Sequence, residues 1–265
     1  MENRSDPARP LPEDPQPTFV RPPGLEFTMG LALFALIFMM FFLVQSFVFF
    51  IGVKQSLPQF ANEPYSAGMF EDPQFQQQMQ VLIFNGDLVA REALWSGGIG
   101  LALILLSVFI WKKRNAAIFL GMTPPRGILF LKWIGIFLLI GAVVEVIGRS
   151  SDIFQSEFMA QVIGSATDRV LLFIGIAIMA PLFEEFLLRG LLFGSVRYIA
   201  DEHVTVAVTA GVFTLMHMQY NWAIMLLILP MGVIFGYARS RTGSIWVPVF
   251  LHILNNSASL LIPVE

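Results

Sequence analysis

The sequence predicts an all-α fold: a polytopic membrane helical bundle of about seven transmembrane helices, preceded by a disordered, proline-rich N-terminal tail. Three observations predict it. The 265 residues are 56% hydrophobic and include 26 Phe, and the mean hydropathy of +0.71 lies outside the range of ordinary soluble domains. The apolar residues fall into runs near the ~20 residues that span a hydrocarbon core. The polar residues that interrupt those runs are few and clustered.

The elements follow in order. Residues 1–26 mix both charges with Pro7, Pro10, Pro12, Pro15, Pro17, Pro22 and Pro23, a composition that cannot bury a core and reads as a disordered cytoplasmic tail. Seven runs then qualify as spans: Phe27–Val53, Ala93–Trp111, Ile128–Gly148, Val170–Val196, Val204–Met218, Trp222–Ala238 and Ile245–Ile262. The first is uncharged and too long for a signal-peptide core, so it is expected to remain as a span. The fifth and sixth are short and separated by Gln219-Tyr220-Asn221, which predicts a tight helical hairpin. The polar loop 54–92 carries Phe75, Met79, Leu82 and Ile83 at helical spacing. This predicts an amphipathic helix on the outer surface, with a simple solvated loop helix as the alternative. The chain thus divides into the tail 1–26, N-terminal helices and an outer loop over 27–114, and a membrane core over 115–265.

A cytoplasmic N-terminus places Lys112-Lys113-Arg114, Arg126, Arg197, Arg239 and Arg241 on that side. The other side then holds Lys54, Arg91, Arg149 and Arg169, an asymmetry in the positive-inside sense. The net charge of −3 provides no broad basic surface, so nucleic acid is not an expected partner; the lipid bilayer is. The chain contains no cysteine, which excludes disulfides, thiolate-ligated zinc and thiol nucleophiles.

The fourth run is broken by Phe183-Glu184-Glu185-Phe186-Leu187-Leu188-Arg189. A charged side chain at bilayer depth costs at least ~2.5–3.5 kcal/mol, so these three must face protein, water or each other. Pro181 just ahead removes one backbone donor and frees the carbonyl near Ala177, which predicts a kink before the carboxylates. On a helix, Glu185 and Arg189 lie ~40° apart and suit an i,i+4 ion pair. Glu184 is rotated ~140° from Arg189 and is left as the unpaired carboxylate. Two further clusters are His217 in the fifth span and His252 with Asn255 and Asn256 in the seventh. His252 and Asn256 share one helix face.

A lone intramembrane His or Asn usually hydrogen-bonds a neighbouring helix. A carboxylate, two imidazoles and an amide on three helices, with few other polar groups available, point instead to a shared site. A carboxylate and an imidazole can deprotonate a water; a second imidazole and an amide can donate to the oxyanion formed when that water attacks a carbonyl. Two His and one Glu also match a catalytic zinc set. Neither a Gly-x-Ser-x-Gly elbow nor His-Glu-x-x-His occurs, so spacing alone indicates water-activated hydrolysis and leaves the metal question open.

At these residues the chain resembles the CPBP family of intramembrane proteases, also called the Abi or type II CAAX endopeptidase family. The resemblance rests on Glu184-Glu185-x-x-x-Arg189, Phe213-x-x-x-His217 and His252-x-x-x-Asn256, with Arg241-Thr242-Gly243-Ser244-Ile245-Trp246-Val247-Pro248 leading into the last motif, and covers about residues 115–262. It implies a helical peptidase of the membrane, here the bacterial inner membrane, acting on a peptide or protein substrate that can itself be membrane-tethered. Carried over residue by residue, Glu184 activates the water with His217, His252 and Asn256 stabilise the oxyanion, and Glu185 with Arg189 supports the site. The family implies a glutamate-dependent reaction without a cofactor, with zinc the alternative. A non-catalytic membrane scaffold or bacteriocin-immunity protein of the same fold is the second reading, and a small transporter with Glu184 as its proton site the third.

Overall fold

The computed structural model describes residues 21–154 and 156–261. Eleven helices organise them: α1 (Pro23–Ser56), α2 (Ala67–Glu71), α3 (Pro73–Leu82), α4 (Gly86–Lys112), α5 (Ala116–Leu120), α6 (Gly127–Gly148), α7 (Glu157–Ser165), α8 (Arg169–Val196), α9 (Glu202–Leu215), α10 (Trp222–Thr242) and α11 (Trp246–Leu261). No strand occurs among the described residues. The all-α membrane bundle expected from the sequence is therefore the observed architecture.

Five of the seven expected spans are met by helices of spanning length among the described residues. Among the described residues five stretches are long and apolar enough to cross a membrane: Pro23–Ser56, Gly86–Leu120, Gly127–Gly148, Arg169–Val196 and Trp222–Thr242. The fifth and seventh runs form α9, of 14 residues, and α11, of 16. At 1.5 Å per residue α9 reaches only ~21 Å, short of a ~30 Å hydrocarbon core, and α11 runs to the last described residue.

Two boundaries also move. The tail was expected to reach residue 26, but α1 begins at Pro23, where a proline's fixed φ suits the first helical position and its missing N–H costs nothing. Residues 1–20 of that tail lie outside the described residues. The outer loop was expected to run to residue 92, yet α4 starts at Gly86, capped by the Asn85 side chain, which accepts from the Leu88 N–H. Glu92 is consequently a buried helical residue, and Gln45 of α1 donates to it at 3.4 Å. The amphipathic segment does form a helix, α3, whose Phe75 is buried with Val53 and Met69 at the end of α1.

Helix α8 is the central element. One side packs Phe183, Leu187 and Leu191 against Ile37 of α1, Ile104 and Val108 of α4, and Val249 of α11. The other side packs Leu188 and Leu192 against Phe137 of α6, Phe213 of α9 and Phe235 of α10. Contact with α4 depends on glycine: a Cβ at Gly100 would lie 2.4 Å from the Phe183 ring, and one at Gly175 would lie 3.0 Å from the Ala90 Cα. Small residues at such crossings let helix backbones approach where lipid supplies no hydrophobic drive. Large apolar side chains on the outside, among them Phe47, Leu106, Leu131 and Leu139, are exposed and suit a lipid surround.

Candidate active site

Helix α8 carries two stretches of wide, π-helical turn, Phe173–Met179 and Phe186–Leu192, on either side of Ala180–Glu185. The wide turn explains how Pro181 is tolerated. The Ala180 N–H bonds the Gly175 carbonyl five residues back, and the next donor in that register is Pro181, which has no N–H. The carbonyl left without it is Ile176, one residue earlier than α-helical spacing predicts. Asn256 of α11 fills the gap, donating from Nδ2 to the Ile176 oxygen at 3.0 Å. Asn255 Nδ2 in turn donates to Asn256 Oδ1 at 3.3 Å.

The Glu185–Arg189 pair forms as expected, with Nη1 to Oε1 at 2.9 Å and both side chains fully buried. Arg189 does more than pair. Its Nη2 donates to the Gly232 carbonyl at 2.9 Å, and its guanidinium lies over the rings of Phe213 at 4.7 Å and Phe235 at 5.5 Å, a favourable cation–π arrangement in a desolvated setting. Arg239 of α10 donates through Nε to the Arg189 carbonyl at 3.0 Å and through Nη2 to the Phe119 carbonyl at 3.3 Å. Sequence reading treated Arg239 only as an end-of-helix cation; it is buried and ties α10, α8 and α5 together.

His252 of α11 stands between the two carboxylates. Its Nδ1 lies 2.9 Å from Glu185 Oε1 and its Nε2 3.9 Å from Glu184 Oε2. The first is a hydrogen bond; the second is beyond one. A carboxylate can only accept, so Nδ1 carries a proton and Nε2 is the ring atom presented to Glu184. The ring is held edge-on to Phe213 and parallel to Phe235. Glu184 itself is half-buried, and its Oε2 is a buried atom with no hydrogen-bond partner among the described residues.

His217 was expected inside the fifth span, but α9 ends at Leu215 and His217 sits in the turn beyond it. Its Nδ1 donates to the Phe213 carbonyl at 2.7 Å, because that oxygen can only accept, and Nε2 is thereby left to accept. The ring packs on Phe213 and stacks with Tyr220. Sequence reading passed over Tyr220 as a turn residue. Burial pushes its phenol up to about 12, and the Glu184 charge adds to the rise. Its signal was the short spacing to His217. Phe213, quoted only as part of a motif, contacts Arg189, His217 and His252 together.

The fold thus brings Glu184, Glu185, Arg189 and His252 into one cluster, sets His217 beside it through Phe213, and places Asn256 on the Pro181 turn. Among the described residues no three His, Asp or Glu side chains form a metal-ligand group.

Residues 166–258 match the family described as Type II CAAX prenyl endopeptidase Rce1-like. That segment holds α8 to α11 nearly entire, and with them each residue of the cluster. The chain is 28% identical over 119 residues to the "Putative membrane peptidase YdiL" of Bacillus subtilis, covering 45% of this chain and 46% of that one. It is 29% identical over 168 residues to the "Uncharacterized 24.3 kDa protein" of Escherichia coli, covering 59% of this chain and 75% of that one. The chain therefore spans about half the length of the first relative and three quarters of the second. No solved structure matches it. With its apolar helices, this similarity makes the chain an integral membrane protein.

Proposed function

We propose that the chain is an intramembrane endopeptidase that hydrolyses a peptide bond with a water activated by Glu184 and His217. The observation that carries this reading is the inequality of the two adjacent carboxylates. Glu185 accepts from Arg189 and His252 through one oxygen, Oε1, whereas Glu184 makes no hydrogen bond among the described residues and faces the His252 imidazole at 3.9 Å; the second oxygen of each carboxylate is buried without a partner. A buried polar atom without a partner calls for an explanation in what it binds, and a water is the smallest group that satisfies it.

In this reading a water donates one proton to Glu184 as its oxygen attacks the scissile carbonyl carbon, with His217 Nε2 accepting from the same water. The carbonyl π electrons move to the oxygen, and the tetrahedral oxyanion is met by the second Nδ2 hydrogen of Asn256 and by His252. Donation from His252 Nε2 requires the ring to carry both protons, since Nδ1–H already serves Glu185. Collapse breaks the C–N bond, and the proton held by Glu184 passes to the leaving amine. Tyr220, a neutral phenol raised in part by the Glu184 charge, helps hold the water in this reading.

The substrate class proposed is a membrane-tethered peptide or protein. An apolar cleft of about 510 Å³ is lined by Phe130 of α6, Leu182 of α8, and Trp246, Phe250 and Ile253 of α11. Leu182 and Ile253 belong to the same two helices, α8 and α11, that carry Glu184 and His252, and in this reading the cleft takes an apolar part of the substrate. The cytoplasmic placement of the N-terminus, in a bacterial inner membrane, is part of the same proposal and rests on the basic residues at that end.

The test compares Glu184→Gln with the wild type in liposomes loaded with lipid-anchored reporter peptides. A loss of roughly 10²–10⁴-fold is expected for removal of a general base, at unchanged thermal stability. Wild-type cleavage by the variant overturns the reading and leaves the non-catalytic scaffold in its place.

A further inference from the structure

At the end of the bundle where α1 begins and α4 ends, a cavity of about 620 Å³ plays no part in the hydrolytic cluster. Three cations line it, Arg21, Lys112 and Lys113, against one carboxylate, Glu26. Lys112 is already engaged: it pairs with Glu26, donates to the Tyr198 hydroxyl at 2.9 Å and lies over the Trp111 ring at 3.6 Å. Arg21 reaches the same Glu26 only at 4.0 Å and keeps 40% of its side chain exposed. Among the described residues no carboxylate lies within ion-pair distance of Lys113. Among the described residues, one negative charge therefore serves three positive ones.

The backbone adds an independent observation. Lys113 has φ 51 and ψ −120, and is the one non-glycine residue with positive φ among the described residues. Helices α5 and α10 end on Gly121 and Gly243, which take positive φ without cost. At the end of α4 a lysine holds such a position instead, and strain of this kind persists where surrounding structure or function demands it. The turn sets Lys113 and Asn115 on the cavity wall. Trp111 Nε1, whose ring also lines it, is a buried donor with no acceptor among the described residues.

The wall is not wholly polar. Ile118 forms part of it and is 70% exposed, and Trp111 with Tyr198 marks the level at which aromatic rings sit at a membrane–water boundary. A free anion would satisfy the cations and leave Ile118 facing water, whereas a molecule with a phosphate head and an apolar tail satisfies both. We propose that this cavity binds the phosphate of an anionic phospholipid headgroup, with Arg21 and Lys113 as its charge partners and Ile118 against the proximal acyl chain. Basic pockets between helices at the cytoplasmic side suit such headgroups. The site lies outside the hydrolytic cluster and stands or falls separately from it.

The experiment is thermal unfolding of the delipidated full-length protein in detergent, titrated with phosphatidylglycerol, phosphatidylcholine or inorganic phosphate. Phosphatidylglycerol is expected to raise Tm by several degrees, and neither of the others to do so at the same concentration. Arg21→Ala and Lys113→Ala should each weaken the phosphatidylglycerol midpoint roughly fivefold, as loss of one interfacial cation implies. Lys113→Gly separates binding from folding: without lipid it should unfold at or above the wild-type temperature, because the backbone strain is relieved, yet lose the same lipid response. Equal stabilisation by phosphatidylcholine overturns the proposal, as does an unchanged midpoint in the three variants. A full response to inorganic phosphate alone assigns the cavity to a soluble anion and overturns the lipid assignment.

Discussion

Glu185 Oε1 accepts from Arg189 Nη1 and from His252 Nδ1, each at 2.9 Å, with all three side chains buried. One oxygen thus joins a helix-internal ion pair to a residue of α11, and it fixes the His252 tautomer as it does so. Removing one partner of a buried pair leaves an uncompensated charge and costs about 3–5 kcal/mol. Glu185→Leu is therefore expected to lower Tm sharply by stranding Arg189. Glu185→Leu with Arg189→Met should recover much of the loss, since an apolar replacement of both partners is often neutral. Activity should stay low in the double variant, because His252 has lost the group that orients it. Unfolding curves and cleavage rates on the same preparations check both halves; recovery of activity along with stability contradicts the orienting role.

The approach of α4 to α8 gives a second expectation. Gly100→Ala inserts a methyl 2.4 Å from the Phe183 ring, and Phe183 is stacked on Phe41 of α1 at 4.5 Å and cannot easily move aside. Overpacking of this kind costs about 1–3 kcal/mol. Gly98→Ala, two residues away, meets nothing within 4 Å and should leave stability unchanged. Thermal unfolding of the two variants in one detergent tests the contrast, and an equal effect at both positions removes the packing explanation.

Much of this arrangement was legible in the residues themselves. Helical geometry alone separated Glu185 and Arg189, as a pair, from Glu184, and the structure has that pair at hydrogen-bond distance. The apolar runs also located the long helices, although α1 and α4 begin several residues ahead of the runs that announced them. What could not be read were relationships that depend on where one helix meets another. The choice of His252 for Glu185, the burial of Arg239 against two carbonyls, and the packing of Tyr220 on Phe158 all join residues far apart in sequence. The end of the fifth run was less legible: apolar character persists beyond the helix, as at Met216 and Met218, so that run is longer than α9. Glu92 was misplaced into a loop because polarity was taken to mean exposure, whereas Gln45 accompanies it inside the bundle.

Tyr220 offers a readout of the site that needs no substrate. Burial first, and the Glu184 charge in addition, raise its phenol to about 12, above the ordinary value of ~10. A folded-state value above the unfolded one gives stability that is fully present below pH ~10 and is lost as pH rises toward about 12. Tyr220→Phe should remove that part of the alkaline dependence. Glu184→Gln should bring the Tyr220 transition to lower pH, because a neutral amide no longer opposes the phenolate. Phenolate absorbance during alkaline titration, with Tyr220→Phe to assign the transition, measures both. A transition that does not move in Glu184→Gln places Tyr220 out of reach of the carboxylate.

The Asn256–Ile176 bond leads to the sharpest test of how α8 is built. Pro181 cannot supply the N–H that its wide turn calls for, and Asn256 supplies one from another helix at 3.0 Å. Asn256→Leu should then cost about 1–3 kcal/mol, the penalty of leaving a buried carbonyl unpaired. Pro181→Ala restores a backbone donor to the same carbonyl, so it should suppress most of the Asn256→Leu loss. If Asn256 serves stability only, the double variant should also recover cleavage. If its remaining Nδ2 hydrogen meets the oxyanion, stability returns while the rate stays down by roughly 10²–10³-fold, the usual effect of losing one such donor. The double-mutant cycle thus measures two roles of one amide separately. Additive destabilisation by the two substitutions is the result that removes the proline as the reason for the bond.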